Sequence, residues 1–236
     1  MKRIAKKRHG AWLGLAPAAS CFIGLVAVVA SLAGCGSVPP DRFYTLSEAL
    51  SGNPSASDAA TSATSSTTLR GAAAPLSIVI SAVTLPELVD RPQIVTRDSA
   101  NRVNVSEQNL WAEPLKSAIG RVVAARLTET LAPARVASYP QASIAAPDLR
   151  ITIDVQRMDA VPGGQAVVEA LWSVLRSSDG LTRPGRTVAT RQVDGVGYEE
   201  AVRAWSAALE DVSRDIGDAA KGVSTAAPRE AVRKPR

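Results

Sequence analysis

Cys35 is the residue of this chain whose surroundings are most specific for chemistry. It follows Leu32, Ala33 and Gly34, and Gly36 comes next. A deprotonated thiol is a strong nucleophile, so it can be alkylated by an activated lipid. The small side chains on either side leave room for a peptidase to reach the peptide bond before the cysteine. The small residues before Cys35 are typical of a processing site, so the pattern predicts cleavage after Gly34.

The residues before Cys35 have the order of a secretory signal. A segment with five Lys or Arg residues comes first, and an apolar run from Ala11 to Ala33 follows it. This order predicts that residues 1–34 are a signal peptide. Residues 32–35 resemble the lipobox of bacterial lipoprotein precursors, in which the cysteine thiol receives diacylglycerol and its new amino group receives an acyl chain. The resemblance implies lipidation of Cys35, and we expect no cofactor besides these covalent chains.

A single transmembrane anchor is the alternative for the apolar run. The segment from Ala11 to Ala33 is long enough to cross a bilayer. However, Pro17, Ser20 and Gly24 interrupt it, and no basic stop-transfer cluster follows. Acyl chains are the better account of the anchor, because each buried methylene contributes about 0.8 kcal/mol and several chains together bind a membrane stably.

Cleavage changes the net charge and the residue types of the mature chain, and these decide which classes of function are possible. The full chain has a formal net charge of +5, with 27 Lys or Arg and 22 Asp or Glu residues. Removing the five basic residues of the signal leaves 22 residues of each sign, so we expect no nucleic-acid partner. His9 and Cys21 leave with the signal as well. The mature chain then has no His and no free Cys. It therefore cannot form a Ser-His-Asp or Cys-His triad or one of the usual zinc sites.

The remaining residues offer little for catalysis. No Gly-x-x-x-x-Gly-Lys-Ser/Thr sequence is present to bind nucleotide phosphates. The mature domain has two lysines, Lys116 and Lys221, and neither has the glycine-framed serine that a Ser-Lys hydrolase would need. Asp148, Asp154 and Asp159 are typical of a solvated sheet edge. We therefore predict that the protein is not an enzyme, and a lipid-anchored hydrolase is the least favoured alternative.

Composition divides the chain into four segments. Residues 1–34 are the signal peptide, residues 35–75 form a lipidated tether and a linker rich in Ser, Thr and Ala, and residues 222–236 form a disordered tail. The linker has almost no large apolar side chain, so it cannot offset the entropy cost of becoming ordered. One domain at residues 76–221 remains, and it is long enough for a single hydrophobic core.

The spacing of apolar residues within this domain predicts several strands and two helices. Apolar residues recur at helical spacing after Pro114 and again from Tyr198 to about Ala220. Strands are expected at 76–83, 93–97, 102–106, 135–139, 149–156, 166–175 and 185–196, and the last three should form an antiparallel meander. This order predicts an α+β domain with a mixed, mainly antiparallel sheet and two helices packed on one face.

Several segments of the mature chain together resemble one protein family. They are Phe43-Tyr44-Thr45-Leu46, the stretch from Leu85 to Arg97, Trp111-Ala112-Glu113-Pro114-Leu115, Tyr139-Pro140, and the strand-turn-strand through Gly163-Gly164 to Trp172. In these segments the chain is similar to the ABC-type transport auxiliary lipoproteins. The resemblance covers nearly the whole mature chain except the Ser/Thr/Ala-rich linker and the tail.

The resemblance implies a partner rather than a reaction. Lipoproteins of this family accompany transporters in which MCE-domain proteins carry phospholipids or other lipids across the periplasm. It implies an outer-membrane anchor facing the periplasm, contact with an MCE-domain protein and inner-membrane transporter subunits, and a homo-oligomeric ring as one form of assembly. Gly36 fits this location, because retention at the inner membrane usually goes with Asp at that position. A structural lipoprotein that assists envelope assembly without transport is the alternative.

The stretch from Leu85 to Arg97 is the candidate docking loop for the partner. Glu87, Asp90 and Arg91 place charges around apolar residues, and two prolines stiffen the backbone. The alternative is an ordinary loop whose apolar residues fill the core while Asp90 and Arg91 form a surface ion pair.

Overall fold

The computed structural model describes residues 39–47, 75–138 and 144–227. The chain divides into two units, Met1–Pro40 and Asp41–Arg236, and the fold is that of the second unit. The signal peptide, Cys35, the linker between residues 48 and 74, the Tyr139-Pro140 pair and residues 228–236 lie outside the described residues. Cleavage, lipidation and the behaviour of the linker therefore stay predictions.

The described residues form eight strands and two helices in the predicted order, with one additional strand at the start. In chain order they are β1 (Arg42–Tyr44), β2 (Ser77–Thr84), β3 (Gln93–Ser99), β4 (Arg102–Trp111), α1 (Leu115–Thr130), β5 (Arg135–Ser138), β6 (Leu149–Ala160), β7 (Gln165–Arg176), β8 (Thr182–Gln192) and α2 (Tyr198–Thr225).

The larger sheet has five strands in the order β5-β2-β6-β7-β8. β2 pairs in parallel with β5 and β6, whereas β6, β7 and β8 form the predicted antiparallel meander. Along β6, buried Leu149, Ile151, Ile153 and Val155 alternate with exposed residues. Because side chains of a strand point alternately to opposite faces, this pattern leaves one face of the sheet buried and the other in water.

Both helices cover the buried face of this sheet. α1 contacts β2 and β5, α2 contacts β6, β7 and β8, and the helices contact each other. The stripe of α2 that faces the core has steps of four and three residues, from Trp205 through Leu209 and Val212 to Ile216. Each such aliphatic side chain contributes about 1.5–3 kcal/mol on full burial. The predicted packing of two helices on one face is confirmed.

The β3–β4 hairpin forms a second sheet instead of joining the first. Its order is β1-β4-β3, with β1 parallel and β3 antiparallel to β4. The hairpin cannot pair with β2, because both edges of β2 are already bonded to β5 and β6. The α+β class with mixed pairing is confirmed, but the strands are divided between two sheets.

The fold begins before the predicted domain boundary at residue 76. Leu46 is completely buried, and Tyr44 packs against the core. The backbone N–H of Ala112 donates to the carbonyl of Tyr44 over 2.8 Å, which extends the pairing of β1 with β4. The segment at 41–47 therefore belongs to the folded body, and only a few residues separate this body from Cys35.

The second helix extends beyond the predicted end of the domain. α2 continues to Thr225, so residues 222–225 are helical rather than part of a tail, and Val223 is buried. Arg176 explains the extension, since its Nη1 donates to the carbonyls of Val223 and Ala226 at 2.7 Å each. These bonds satisfy carbonyl groups that a helix end leaves without partners. No helix within the described ranges is both long and apolar enough to cross a bilayer.

Candidate partner-docking site

Three segments that were singled out in the sequence meet at one end of the smaller sheet. The backbone N–H of Trp111 donates to the carbonyl of Pro92 over 2.7 Å, and that of Ala112 donates to Tyr44 over 2.8 Å. These bonds place the loop at residues 85–92 on one side of the β4–α1 junction and the end of β1 on the other. The folded chain thus brings together Tyr44 and Ala112, which are 68 residues apart in sequence, and Pro92 and Trp111, which are 19 apart.

A cleft of about 320 Å³ lies between this loop and the junction, and we call it the loop cleft. It is lined by residues 90–92 and 111–115. Trp111 and Leu115 are buried at its base, and the Trp111 ring lies 5.9 Å from the Trp205 ring between centroids. An aromatic pair of this kind adds about 0.5–1.5 kcal/mol beyond burial. The base of the cleft is therefore held by the core.

The three predicted docking residues have different surroundings. Asp90 and Arg91 line the loop cleft, and Glu87 is exposed on the same loop. Asp90 Oδ2 lies 2.6 Å from Lys116 Nζ at the start of α1, so the alternative pairing of Asp90 with Arg91 is wrong. Glu87 and Arg91 have no ion-pair partner among the residues that the structure describes. Both side chains are exposed, whereas the ion pair of Asp90 connects the loop to the helix.

The apolar residues of the loop divide between core and surface. Val89 is buried and Leu85 packs against the core, as the ordinary-loop alternative expects. Leu88 is 38% exposed. A tight turn produces this division, since the N–H groups of Val89 and Asp90 both donate to the carbonyl of Pro86 at 3.0 and 3.1 Å. Leu88 at the tip of the turn is therefore an exposed apolar side chain. The sequence alone did not distinguish it from Val89 and Leu85.

Arg121 holds the segment after β1 beside the cleft. Its Nη2 donates to Glu113 Oε1 at 2.7 Å, to the carbonyl of Leu46 at 2.9 Å and to Thr45 Oγ1 at 3.1 Å. The sequence indicated Glu113 only as part of the segment from Trp111 to Leu115 that resembles the family. In the structure Glu113 is one end of a polar cluster that connects α1 with the first residues of the fold. Sequence reasoning missed Arg121 because its partners are distant along the chain.

The loop cleft has the geometry of a binding surface. Exposed charges lie at its edge and apolar side chains at its base, as is common at protein interfaces.

Asp148, whose pKa is lowered, lies outside the loop cleft. The Ser77 hydroxyl and backbone N–H donate hydrogen bonds to its carboxylate at 2.6 and 2.9 Å, and these bonds lower the pKa. Within the described part of the chain, no group of three His, Cys, Asp or Glu residues could hold a metal ion.

Comparison with known proteins identifies the family. Residues 58–217 match the family model described as ABC-type transport auxiliary lipoprotein component. The chain belongs to this family. The resemblance seen in the sequence is confirmed, and the chain is an auxiliary lipoprotein of ABC-type transport. The loop cleft and α1 lie within the matched residues, whereas β1 and Cys35 lie before them.

A relative from Escherichia coli (strain K12) carries the name intermembrane transport lipoprotein PqiC. It is 27% identical over 138 residues, which are 57% of this chain and 71% of PqiC. PqiC of Shigella flexneri matches with the same identity and coverage.

Two crystal structures share the fold. One, of an uncharacterized protein, has a TM-score of 0.54 and 19% identity, covering 78% of this chain and 99% of that protein. The other, of a Xanthomonas campestris protein, has a TM-score of 0.52 and 17% identity, covering 65% and 90%. At this identity the likeness supports the fold alone.

Proposed function

We propose that this auxiliary lipoprotein is the outer-membrane subunit of an intermembrane lipid transport system and acts by binding a periplasmic MCE-domain protein. The observation that carries the proposal is the family match over residues 58–217. The name of the Escherichia coli relative, an intermembrane transport lipoprotein, supports the same role. The subunit acts by binding and performs no reaction of its own.

The loop cleft is the proposed docking site for the partner. Arg91 and Glu87 carry opposite charges on one loop, and complementary charges on a partner would orient it and speed its association. Leu88 adds an exposed apolar contact at the tip of the turn. The ion pair between Asp90 and Lys116 keeps the loop in position. Asp90 therefore contributes through the shape of the loop, and the direct charge contacts fall to Glu87 and Arg91.

The anchor in this proposal is the lipidated Cys35. Its acyl chains hold the body at the inner leaflet of the outer membrane, facing the periplasm, and Gly36 after the cysteine supports that leaflet. The MCE-domain protein bridges to the inner-membrane transporter subunits. Assembly of several copies into a homo-oligomeric ring would repeat the loop cleft around one axis and raise the effective concentration of docking sites.

The proposal is tested by capture of the partner from envelope extract. Lipid-free chain from residue 37 to residue 236 is immobilised, and the retained proteins are identified by mass spectrometry. We expect an MCE-domain protein. Arg91→Glu and Glu87→Lys should each reduce capture roughly fivefold, since one charge at an interface edge contributes about 1 kcal/mol.

Arg150→Glu is the matched control, because Arg150 is exposed on β6 and does not line the loop cleft. It should leave capture unchanged, and circular dichroism should show every variant folded. Repeated recovery of other envelope proteins without an MCE-domain protein would favour the role in envelope assembly. A hydrolytic activity abolished by one point mutation would instead contradict the non-catalytic role.

A further inference from the structure

β8 is the outer strand of the larger sheet, on the side opposite β5. Its eleven residues, Thr182–Gln192, pair with β7 in one continuous register without a bulge. No other strand within the described ranges pairs with it. An edge of this length presents a row of backbone N–H and C=O groups that an additional strand can bond.

Hydrogen bonds at both ends of β8 show which of its backbone groups point outward. The N–H of Arg176 donates to the carbonyl of Leu181 at 2.8 Å, and the N–H of Val193 donates to the carbonyl of Gly164 at 2.9 Å. Both bonds fit one register, in which the odd-numbered residues of β8 bond to β7. Because bonded and non-bonded pairs alternate along an antiparallel ladder, the N–H and C=O groups of the even-numbered residues point away from β7.

Pro184 agrees with this assignment and limits the usable part of the edge. It occupies an even-numbered position, and proline, which lacks an N–H, occurs within sheets mainly at edge positions of this kind. The next even-numbered residues, Arg186, Val188 and Thr190, have both backbone groups. Of these outward groups, only the carbonyl of Thr190 has a hydrogen-bond partner among the residues that the structure describes, Nη1 of Arg191 at 3.0 Å. We call Arg186, Val188 and Thr190 the free edge.

The side chains of the free edge lie on the face of the sheet that points away from the helices. Arg186, Val188 and Thr190 are exposed, whereas the residues between them, at 187 and 189, are buried. Val188 is 53% exposed, and Leu171, which lies opposite Arg186 on β7, is 41% exposed. Residues paired across two strands share a face, so exposed apolar side chains border the free edge.

β8 is positively charged along its length, since it carries Arg183, Arg186 and Arg191 and no acidic residue. Glu169 accepts a hydrogen bond from Arg186 Nε at 2.9 Å and Asp211 pairs with Arg191, whereas Arg183 has no ion-pair partner in the described part of the chain. The Arg186 side chain is still 60% exposed, and its guanidinium has donors left for a second carboxylate. Two copies of β8 side by side would bring their arginines together with no acidic residue on either strand. Charge therefore favours an acidic partner strand over a second copy of this chain.

We propose that the free edge binds an extended acidic segment of another protein, which joins the larger sheet as a sixth strand. The backbone of this segment would bond the outward N–H and C=O groups, as in other complexes formed by strand addition. A carboxylate opposite Arg186 and an apolar side chain opposite Val188 would select the register. The residues of the free edge do not line the loop cleft, so this contact is additional to the proposed docking site and does not depend on it.

The test measures binding of a fluorescent peptide, Thr-Glu-Thr-Val-Thr-Glu-Thr-Val, to the mature protein in detergent by fluorescence anisotropy. In the proposed register the Glu and Val residues of the peptide lie opposite even-numbered residues of β8, so their N–H groups point to β8. N-methylation of these residues should therefore abolish binding. N-methylation of the threonines, whose N–H groups point away, should preserve it. Amide hydrogen exchange measured by NMR should become slower at 186, 188 and 190 when the unmodified peptide binds.

Charge reversal tests the contribution of the side chains. Arg186→Glu should weaken binding about tenfold, because a pair of opposite charges becomes a pair of like charges. Arg135→Glu is the matched control, since Arg135 is exposed on β5 at the opposite edge of the same sheet. Circular dichroism should show both variants folded, and if Arg186→Glu does not fold, the two methylated peptides still decide the outcome.

Absence of peptide binding at millimolar concentration would overturn the proposal. Equal binding of the two methylated peptides would also overturn it, because the contact would then not use the backbone of the edge. Self-association of the protein that protects the same amides from exchange would assign the free edge to a second copy and overturn it as well. None of these results changes the expectation for capture at the loop cleft, because the two surfaces share no residue.

Discussion

At the scale of single residues, a few polar side chains hold the beginning of the fold in place. Arg121 connects Glu113, Thr45 and the carbonyl of Leu46, and it does so from the middle of α1. The guanidinium is planar and has five donors, so it can bond several acceptors at once, which a lysine cannot do in the same geometry. This side chain thus adds to the pairing of β1 with β4 and the burial of Leu46 in holding residues 41–47 to the body.

Replacement of Arg121 tests this role. We expect Arg121→Ala to lower the free energy of unfolding by about 1–3 kcal/mol, because it leaves partly buried acceptors without a donor. Arg121→Lys should recover only part of the loss. Hydrogen exchange should become faster mainly at residues 41–47. Arg214→Ala is the control, since Arg214 forms an exposed pair within α2. Unchanged exchange at 41–47 would contradict the role of Arg121.

At the scale of elements, local patterns predicted most of the helices and strands. The strict alternation of Leu149, Ile151 and Ile153 identified β6, and the helical spacing after Tyr198 identified α2. β1 has three residues, which is too short for any period, so its pairing with β4 was not predictable. The division into two sheets was not predictable for a related reason, because pairing depends on partners that are distant in sequence.

The same limit applies to the candidate docking site. The sequence indicated the loop with Glu87, Asp90 and Arg91 as well as the residues from Trp111 to Leu115. It did not indicate that they face each other across one cleft, or that Asp90 pairs with Lys116. Both facts depend on the turn at Pro86 and on the hydrogen bond between Trp111 and Pro92. Contacts between segments of this kind follow from the fold rather than from either segment alone.

The pairing of β7 with β8 requires a glycine under an aromatic ring. Gly185 lies opposite Trp172, and a Cβ at this position would overlap the indole ring. Trp172 Nε1 also donates to Thr187 Oγ1 at 3.0 Å, which fixes the ring in place. We expect Gly185→Ala to lower the free energy of unfolding by about 1–3 kcal/mol through overpacking and to change the near-ultraviolet circular dichroism of the tryptophans.

A second substitution provides the control. Trp172→Leu added to Gly185→Ala should recover part of the lost stability, because the smaller side chain leaves room for the new methyl group. Pro184→Ala, at an exposed neighbouring position, should have little effect. Additive losses in the double variant would show that the two residues do not interact and would contradict the steric explanation.

At the scale of the whole molecule, the Ser/Thr/Ala-rich segment is an insertion and not a spacer between membrane and domain. Ordered residues lie on both sides of it: the N–H of Ser47 donates to Ser206 Oγ at 3.2 Å, and β2 begins at Ser77. Only residues 36–40 therefore separate Cys35 from the folded body in sequence, whatever the length of the insertion. A long connection between two fixed ends lowers the stability of the fold only slightly. Each doubling of loop length raises the free energy of loop closure by only about 0.6 kcal/mol.

Deletion of residues 55–68 tests this view. We expect the thermal midpoint to change by less than about 5 °C, because residues outside the core contribute little to the free energy of unfolding. The 13 residues left between 48 and 74 can still extend over roughly 40 Å. Deletion of Phe43 to Leu46 is the contrasting control and should lower the midpoint strongly. A larger drop for the first deletion would show that the segment is packed.

The position of β2 within the larger sheet has a consequence for secretion. β2 is near the beginning of the mature chain, yet both of its neighbours come later, and the last residue of β6 is Ala160. These two pairings form slowly, because a long loop must close before either pair of strands can make its contacts. A chain that crosses a membrane from its N-terminus would therefore keep its first half unfolded until most of it has emerged. Under the lipidation of Cys35 proposed above, that delay would give the modifying enzymes time to reach the thiol before Leu46 is buried in the core.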